Sequence, residues 1–126
     1  MAKIYLLFTM IFMHIIDDYY LQGILASMKQ KKWWQENAPQ QKYKQDFIVA
    51  LIVHSISWSF MIMLPILFRL HFQFSWFYII ALVVNATVHG IVDDLKANKF
   101  KINLVQDQTI HLIQIICTFI IYLVVY

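Results

Sequence analysis

The stretch HFQFSWFYIIALVVNATVHGIVDDLK, residues 71–96, decides the fold class of this chain. It has no Asp, Glu, Lys or Arg from residue 71 to residue 92, and then Asp93, Asp94 and Lys96 follow in close succession. An apolar run of this length exceeds the roughly 20 residues that an α-helix needs to cross the hydrocarbon layer of a bilayer. The stretch therefore predicts a membrane-spanning helix that ends in charged residues.

Similar apolar runs recur along the whole chain of 126 residues, of which 61% are hydrophobic and 13% are charged. The charged fraction is far below the roughly 25% of soluble globular domains. We therefore predict an all-α protein with a single transmembrane domain, residues 1–126, folded as an integral membrane four-helix bundle. The predicted spans are about 3–28, 46–69, 73–96 and 104–126, with a polar loop at 29–45.

Lysine and arginine are distributed unevenly between the two sides of the predicted bundle. The loops that join spans one and two and spans three and four hold eight lysines, whereas the opposite side holds only Lys3 and Arg69. Because positive charge marks cytoplasmic loops, we predict a multi-pass protein of the bacterial inner (cytoplasmic) membrane with both termini outside the cytoplasm. The net charge of +3 then reflects topology and attraction to membrane lipid, and we expect no nucleic-acid partner.

Every predicted span brings one histidine into the membrane interior. Ionisable groups are costly there, so each requires a partner or a function. Helical periodicity gathers the polar residues into stripes on single helix faces, and a rise of about 1.5 Å per residue places all of them in the half of the bundle nearer the cytoplasm. The polar residues are His14, Asp18 and Gln22 in span one, His54 in span two, Asn85, His89, Asp93 and Lys96 in span three, and Asp107, Gln108, His111 and Gln114 in span four.

Two pairs of adjacent aspartates require a choice. Neighbouring residues of an α-helix lie about 100° apart around its axis, so only one member of each pair can face the interior. We predict that Asp18 and Asp93 face inward and that Asp17 and Asp94 do not. Beside this stripe, Gly90 is a candidate for close helix approach, and we expect the Ser55 hydroxyl to bond back to its own helix.

Imidazoles combined with carboxylates are the ligand set of zinc, iron and manganese. A catalytic zinc takes three protein ligands and a water, so this set suffices for one or two divalent ions, with zinc favoured. The predicted metal ligands are His14, Asp18, His54, His89, Asp93, Asp107 and His111. Asp18, Asp93 and Asp107 are also the candidate catalytic carboxylates, and Gln22, Lys96 and Gln108 are the candidate substrate-binding residues.

These motifs give the chain a family resemblance. It resembles an uncharacterised family of small four-span bacterial and phage membrane proteins, domain of unknown function 3307, which carries H-x3-D-[FY]-x2-Q, H-x3-D-x2-K and D-Q-x2-H in that order. The matching segments here are HIIDDYYLQ, HGIVDDLKA and DQTIH, with His54 between the first two. More distantly, the chain is similar to predicted membrane-bound metal-dependent hydrolases, which implies hydrolysis. As the substrate we hypothesise a lipid or amphipathic molecule.

Three functions remain open at this stage. The first is a metal-dependent hydrolase that acts at the cytoplasmic leaflet. The second is a proton or divalent-cation transporter or binding protein, which would require a homo-oligomer because one short protomer offers little room for alternating access. The third is a non-enzymatic phage or bacterial membrane factor, in which the polar residues only hold the helices together at about 0.6 kcal/mol per contact.

Overall fold

The computed structural model describes residues 2–126, and all regular structure in this range is helical. The helices are α1 (Ala2–Ile16), α2 (Leu25–Met28), α3 (Lys31–Asn37), α4 (Asp46–Arg69), α5 (Trp76–Ala97) and α6 (Leu104–Val125). A π-helical turn (Asp17–Leu21) extends α1, and a 3-10 turn (Gln41–Tyr43) precedes α4.

The four long helices pack as a bundle. Helices α1 and α5 each pack against both α4 and α6. Four helical segments, Lys3–Leu21, Gln41–Arg69, Trp76–Ala97 and Leu104–Val125, are long and apolar enough to cross a membrane, which indicates a membrane protein. The all-α bundle is confirmed, whereas the side of the membrane that holds the termini stays a prediction.

The hydrophobic core fills the half of the bundle that is remote from the lysine-rich loops. It consists of Leu6, Met10, Trp58, Ile62, Met63, Ile66, Leu67, Tyr78, Ile115, Phe119 and Tyr122. Large apolar side chains such as Val83 and Ile113 remain exposed on the outer helix faces. Such faces are expected where the surrounding solvent is lipid hydrocarbon.

The first helix ends earlier than the sequence predicts. We expected span one to continue to about residue 28, but its apolar segment ends at Leu21, and the short helix α2 follows a turn. Gly23 occupies this turn with a φ of +51°, a conformation that glycine adopts without steric cost. The glycine thus separates the first span from α2.

The predicted polar loop at 29–45 is partly helical and is tied to the other lysine-rich loop. It contains α3, whose first residue Lys31 donates its backbone N–H to Asn98 Oδ1 over 2.7 Å. Asn98 Nδ2 donates in turn to the carbonyl of Lys29 over 3.0 Å. These two bonds join the loop after span one to the end of α5.

Gly90 marks the closest approach of α4 and α5. A Cβ atom at this position would lie 2.8 Å from Ser55 Oγ and 3.6 Å from Ser55 Cβ. The Ser55 hydroxyl donates to the Leu51 carbonyl of its own helix over 2.6 Å, as the sequence predicted. Small residues allow this kind of backbone approach between membrane helices.

We expect Gly90→Ala to lower the thermal unfolding midpoint of the detergent-solubilised protein, because overpacking of a tight contact costs roughly 1–3 kcal/mol. Adding Ser55→Ala should restore most of the loss, since only the ordinary contact with Cβ then remains. Ser55→Ala alone is the control. If Gly90→Ala is equally destabilising with and without the second change, the close contact is not the cause.

Candidate metal centre

Three histidines and two aspartates converge where the four long helices meet, near the lysine-rich end of the bundle. They are Asp18 from the π-helical turn, His54 from α4, His89 and Asp93 from α5, and His111 from α6. All five side chains are at most 8% exposed. The predicted convergence of residues from all four spans at one depth is therefore found in the structure.

The first group of donor atoms consists of Asp18, His54 and His89, whose ligand atoms all lie within 4.8 Å of one another. His54 Nε2 lies 3.1 Å from His89 Nε2 and 3.4 Å from Asp18 Oδ1. Metal–ligand bonds of about 2.0–2.1 Å in a tetrahedral site imply ligand–ligand separations of about 3.3 Å. The spacing of this group thus fits a small divalent cation.

The second group consists of His89, Asp93 and His111. The Asp93 carboxylate also reaches the first group, because its Oδ2 is 3.3 Å from His54 Nε2 while its Oδ1 is 3.6 Å from His111 Nε2. The two groups share His89. The Asp93 carboxylate and the His89 imidazole therefore connect the two donor groups.

Several buried polar atoms of this cluster have no hydrogen-bond partner. They include Asp18 Oδ1, Asp107 Oδ1, His89 Nδ1 and both ring nitrogens of His111. Buried polar groups in proteins are normally satisfied, so such a concentration points to a role beyond packing. Nitrogen and carboxylate donors of this type suit zinc, iron or manganese, and the residues present therefore fit a metal ion.

His14 does not belong to either group, which corrects its prediction as a ligand. Trp58 Nε1 donates to His14 Nδ1 over 2.8 Å. With that nitrogen accepting, the opposite ring nitrogen, Nε2, carries the proton and donates to Gln108 Oε1 over 3.1 Å. Both ring nitrogens are therefore occupied, and His14 positions Gln108 instead of binding a metal.

Gln108, which His14 holds in place, orients two carboxylates in turn. Its amide nitrogen donates to Asp18 Oδ2 over 3.2 Å and to Asp107 Oδ2 over 3.1 Å. The contact with Asp18 leaves Oδ1, the oxygen of the first donor group, without a hydrogen bond. Gln108 thus orients the site, and its role in substrate binding stays a prediction.

Asp17 faces inward as well as Asp18, and the prediction that it would not is wrong. The π-helical turn over Asp17–Leu21 has more residues per turn than an α-helix, and Asp17 is only 1% exposed. Its Oδ1 accepts a hydrogen bond from Ser57 over 2.7 Å, and its Oδ2 lies 3.8 Å from His54 Nδ1. Asp17 thus lies behind His54, on the side away from the donor group.

Asp94 lies outside the cluster, as predicted. Its carboxylate accepts hydrogen bonds from Lys99 over 2.7 Å and from Asn98 over 2.9 Å at the end of α5. No π-helical turn occurs in α5, so the two adjacent aspartates Asp93 and Asp94 diverge as in an ordinary α-helix.

Trp58 closes the cluster on the side that faces the hydrophobic core, a role that was not predicted from the sequence. The indole is fully buried and stacks on the His89 ring with centroids 4.2 Å apart, and His89 stacks in turn on His111, also at 4.2 Å. Trp58 follows His54 by four residues. That spacing on one helix face was the signal available in the sequence.

Lys29 is the second residue of the cluster that the sequence analysis missed. Its Nζ donates to Asp93 Oδ2 over 2.6 Å, although Lys29 was assigned to the polar loop. Lys96 makes the equivalent contact with Asp107 Oδ2 over 2.6 Å. Both lysines therefore neutralise carboxylates of the site. Lys29 returns to the bundle because span one ends at Leu21, which the sequence did not predict.

The remaining predicted polar residues lie at the edges of the cluster. Gln22 donates its side-chain amide to the backbone carbonyl of Asp18 over 2.8 Å. Asn85 lies one helical turn from His89, towards the hydrophobic core. Its side chain accepts a hydrogen bond from Gln114 over 2.8 Å and donates one to Thr118 over 2.9 Å. This inner network joins α5 to α6, although the buried Gln114 Oε1 has no hydrogen-bond partner.

A comparison of the chain with models of protein families, with curated proteins and with solved structures found no match. The resemblance to the four-span family and to membrane-bound hydrolases therefore stays a prediction from motifs. The geometry alone establishes that buried His and Asp groups capable of binding a metal lie inside a bundle of four apolar helices.

We expect Asp17→Asn to weaken zinc binding by about ten- to one-hundred-fold, because carboxylates behind a ligating histidine fix its orientation and basicity. Competition with a fluorescent zinc chelator on the purified protein measures the change. Asp94→Asn, at the other acidic pair, is the matched control and should bind zinc like the wild type. Equal affinities for the two variants would refute a role for Asp17.

Proposed function

We propose that this protein is an integral-membrane, metal-dependent hydrolase that acts on a lipid or amphipathic substrate at the leaflet next to its lysine-rich loops. The observation that carries the proposal is the first donor group. Three ligands from three helices, Asp18, His54 and His89, are spaced for one ion. Three protein ligands are the number that a catalytic zinc takes when it keeps one position open.

The charge balance of the cluster supports a bound cation. Four buried aspartates, Asp17, Asp18, Asp93 and Asp107, are offset by two lysines, Lys29 and Lys96. With neutral histidines this leaves a net charge of −2, and an uncompensated charge inside a membrane bundle is expensive. One divalent ion restores neutrality, so the balance favours one ion over two, with zinc the preferred candidate.

A cleft gives access to the cluster from the lysine-rich end. It has a volume of about 410 Å3 and lies between the end of span one and the beginning of α6. Among its lining residues are Asp18, Asp93, Lys29, Lys96 and Gln108. Substrate and water would therefore reach the donor groups from this side.

When bound, the ion would polarise the scissile group and lower the pKa of a coordinated water to about 7. Asp107 belongs to neither donor group, and its Oδ1 is buried, has no hydrogen-bond partner and lies 3.3 Å from His111 Nε2. We assign it the role of proton acceptor. Lys96 keeps Asp107 in place, while Trp58 excludes water from the inner side.

The same geometry disfavours the transport alternative. Beyond Trp58, the bundle is filled by fully buried side chains such as Ile62, Met63 and Ile115. A carried ion would need a polar route through this half of the molecule. The core described above offers only neutral groups there, so a single protomer opens to one side of the membrane.

Protein purified in detergent without a chelator should contain about one equivalent of a transition metal, measured by elemental analysis. His89→Ala should reduce this content to background, because it removes a donor common to both groups. His71→Ala, at the histidine outside the cluster, is the control and should retain the metal. A wild-type protein that carries no metal and binds none when zinc is added would refute the site.

Asp107→Asn should separate metal binding from catalysis. The amide can still accept a hydrogen bond from Lys96, so metal content should stay near the wild-type value, whereas hydrolysis of amphipathic esters in mixed micelles should fall by roughly 100-fold or more, the typical contribution of a general base. Asp18→Asn, which removes a ligand of the first donor group, should lose both. Retained hydrolysis in Asp107→Asn would exclude Asp107 as proton acceptor, and zinc uptake into sealed vesicles without any hydrolysis would favour transport.

A further inference from the structure

We propose that the substrate is an amphipathic phosphate ester whose phosphate group binds Lys29 and Lys96 and whose apolar part remains in the membrane. This inference rests on the proposed hydrolase and names its substrate class. We call the cleft between the end of span one and the beginning of α6 the headgroup cleft. Both lysines line it together with Asp18 and Asp93 of the donor groups.

The lysines retain hydrogen-bonding capacity for an anion. Each ammonium group has three N–H donors, and the structure accounts for one on each lysine, to Asp93 and to Asp107. Two donors per lysine therefore remain for further acceptors in the cleft. Lysine is a common phosphate ligand that acts as a point charge, and a phosphate ester offers several oxygens to two such groups.

The charge of this end of the molecule favours an anion even before an ion is bound. Of the ten basic residues, all but Lys3 and Arg69 lie at the lysine-rich end, and all seven Asp and Glu residues also lie there. Eight lysines against seven carboxylates give a net charge of +1, and a divalent ion raises it to +3. A phosphate group of charge −1 to −2 is therefore attracted, whereas a cationic headgroup is repelled.

Part of the rim of the headgroup cleft consists of exposed apolar side chains. Tyr19 is 57% exposed, Leu104 is 54% exposed and Phe100 is 80% exposed. All three line the cleft. Tyr19 belongs to span one and Leu104 to span four, which contact each other, and Phe100 lies in the loop before span four. A water-soluble phosphate needs no such rim, but a molecule with acyl chains can enter sideways from the bilayer while its head passes between the lysines.

Binding of three ligands to the wild-type protein tests the substrate class without any variant. The protein is treated with a chelator, so that no turnover occurs, and titrated calorimetrically with a short-chain phosphatidic acid, the matching diacylglycerol or inorganic phosphate. Phosphatidic acid should bind at least about tenfold more tightly than either of the others, a difference readily resolved by calorimetry. Equal binding of diacylglycerol would overturn the phosphate contact, and equal binding of inorganic phosphate would overturn the membrane-borne substrate.

Lys96→Gln should weaken phosphatidic acid binding about tenfold, the equivalent of one lost charge-assisted contact. Lys99→Gln is the matched control, because Lys99 makes the same kind of ion pair with Asp94 at the same end but lies outside the headgroup cleft. Equal affinities for the two variants would overturn the role of Lys96. The ligand ranking in the wild-type protein still decides if Lys96→Gln does not fold.

Different results would refute the hydrolase and the phosphate-ester substrate. If the zinc-loaded protein hydrolyses nothing but the metal-free protein still binds phosphatidic acid through Lys96, the hydrolase is refuted and the phosphate site stands. If the zinc-loaded protein hydrolyses uncharged esters faster than phosphate esters, the hydrolase stands and the phosphate ester is refuted.

Discussion

The structure depends on one electrostatic constraint, the placement of four aspartates inside a bundle of apolar helices. Such charges are tolerated in a membrane interior only if cations neutralise them or hydrogen-bond donors contact them. Lys29 and Lys96 reach two of these carboxylates directly. The other two, Asp17 and Asp18, lie beside His54, and Asp18 also lies close to His14. The helix order, the early end of the first span and the return of α2 towards the bundle all bring compensating groups to these carboxylates.

The two halves of the bundle have different roles. The half next to the lysine-rich loops holds the polar cluster, and the opposite half holds the hydrophobic core. Trp58 belongs to both, because it packs in that core and also stacks on His89. Trp58 therefore contributes both to the packing of the core and to the shape of the metal site. The stacking of Trp58, His89 and His111 leaves the imidazoles little rotational freedom.

Much of this arrangement follows from the sequence. Uncharged runs of sufficient length predict the four long helices, and the i, i+4 spacing of His89 and Asp93 predicts that they share one face of α5. What periodicity cannot provide is the direction of polar contacts. His14 has the same spacing from Asp18, yet Trp58 and Gln108 occupy both of its ring nitrogens, and neither partner is near it in the sequence. Lys29 likewise joins the site only because the chain turns back at Gly23.

The π-helical turn has a consequence for how this site can change. Its backbone hydrogen bonds join residues five apart, as from the Gln22 N–H to the Asp17 carbonyl, whereas those of an α-helix join residues four apart. The α1 segment and the chain after Leu21 are therefore in different rotational registers. Removal of a single residue between Tyr19 and Leu21 would return the segment to α-helical phase and turn one of the two adjacent carboxylates towards lipid. The apolar face of α1 would stay where it is. The end of the first span is thus a point at which the number of inward carboxylates can be altered without repacking the bundle.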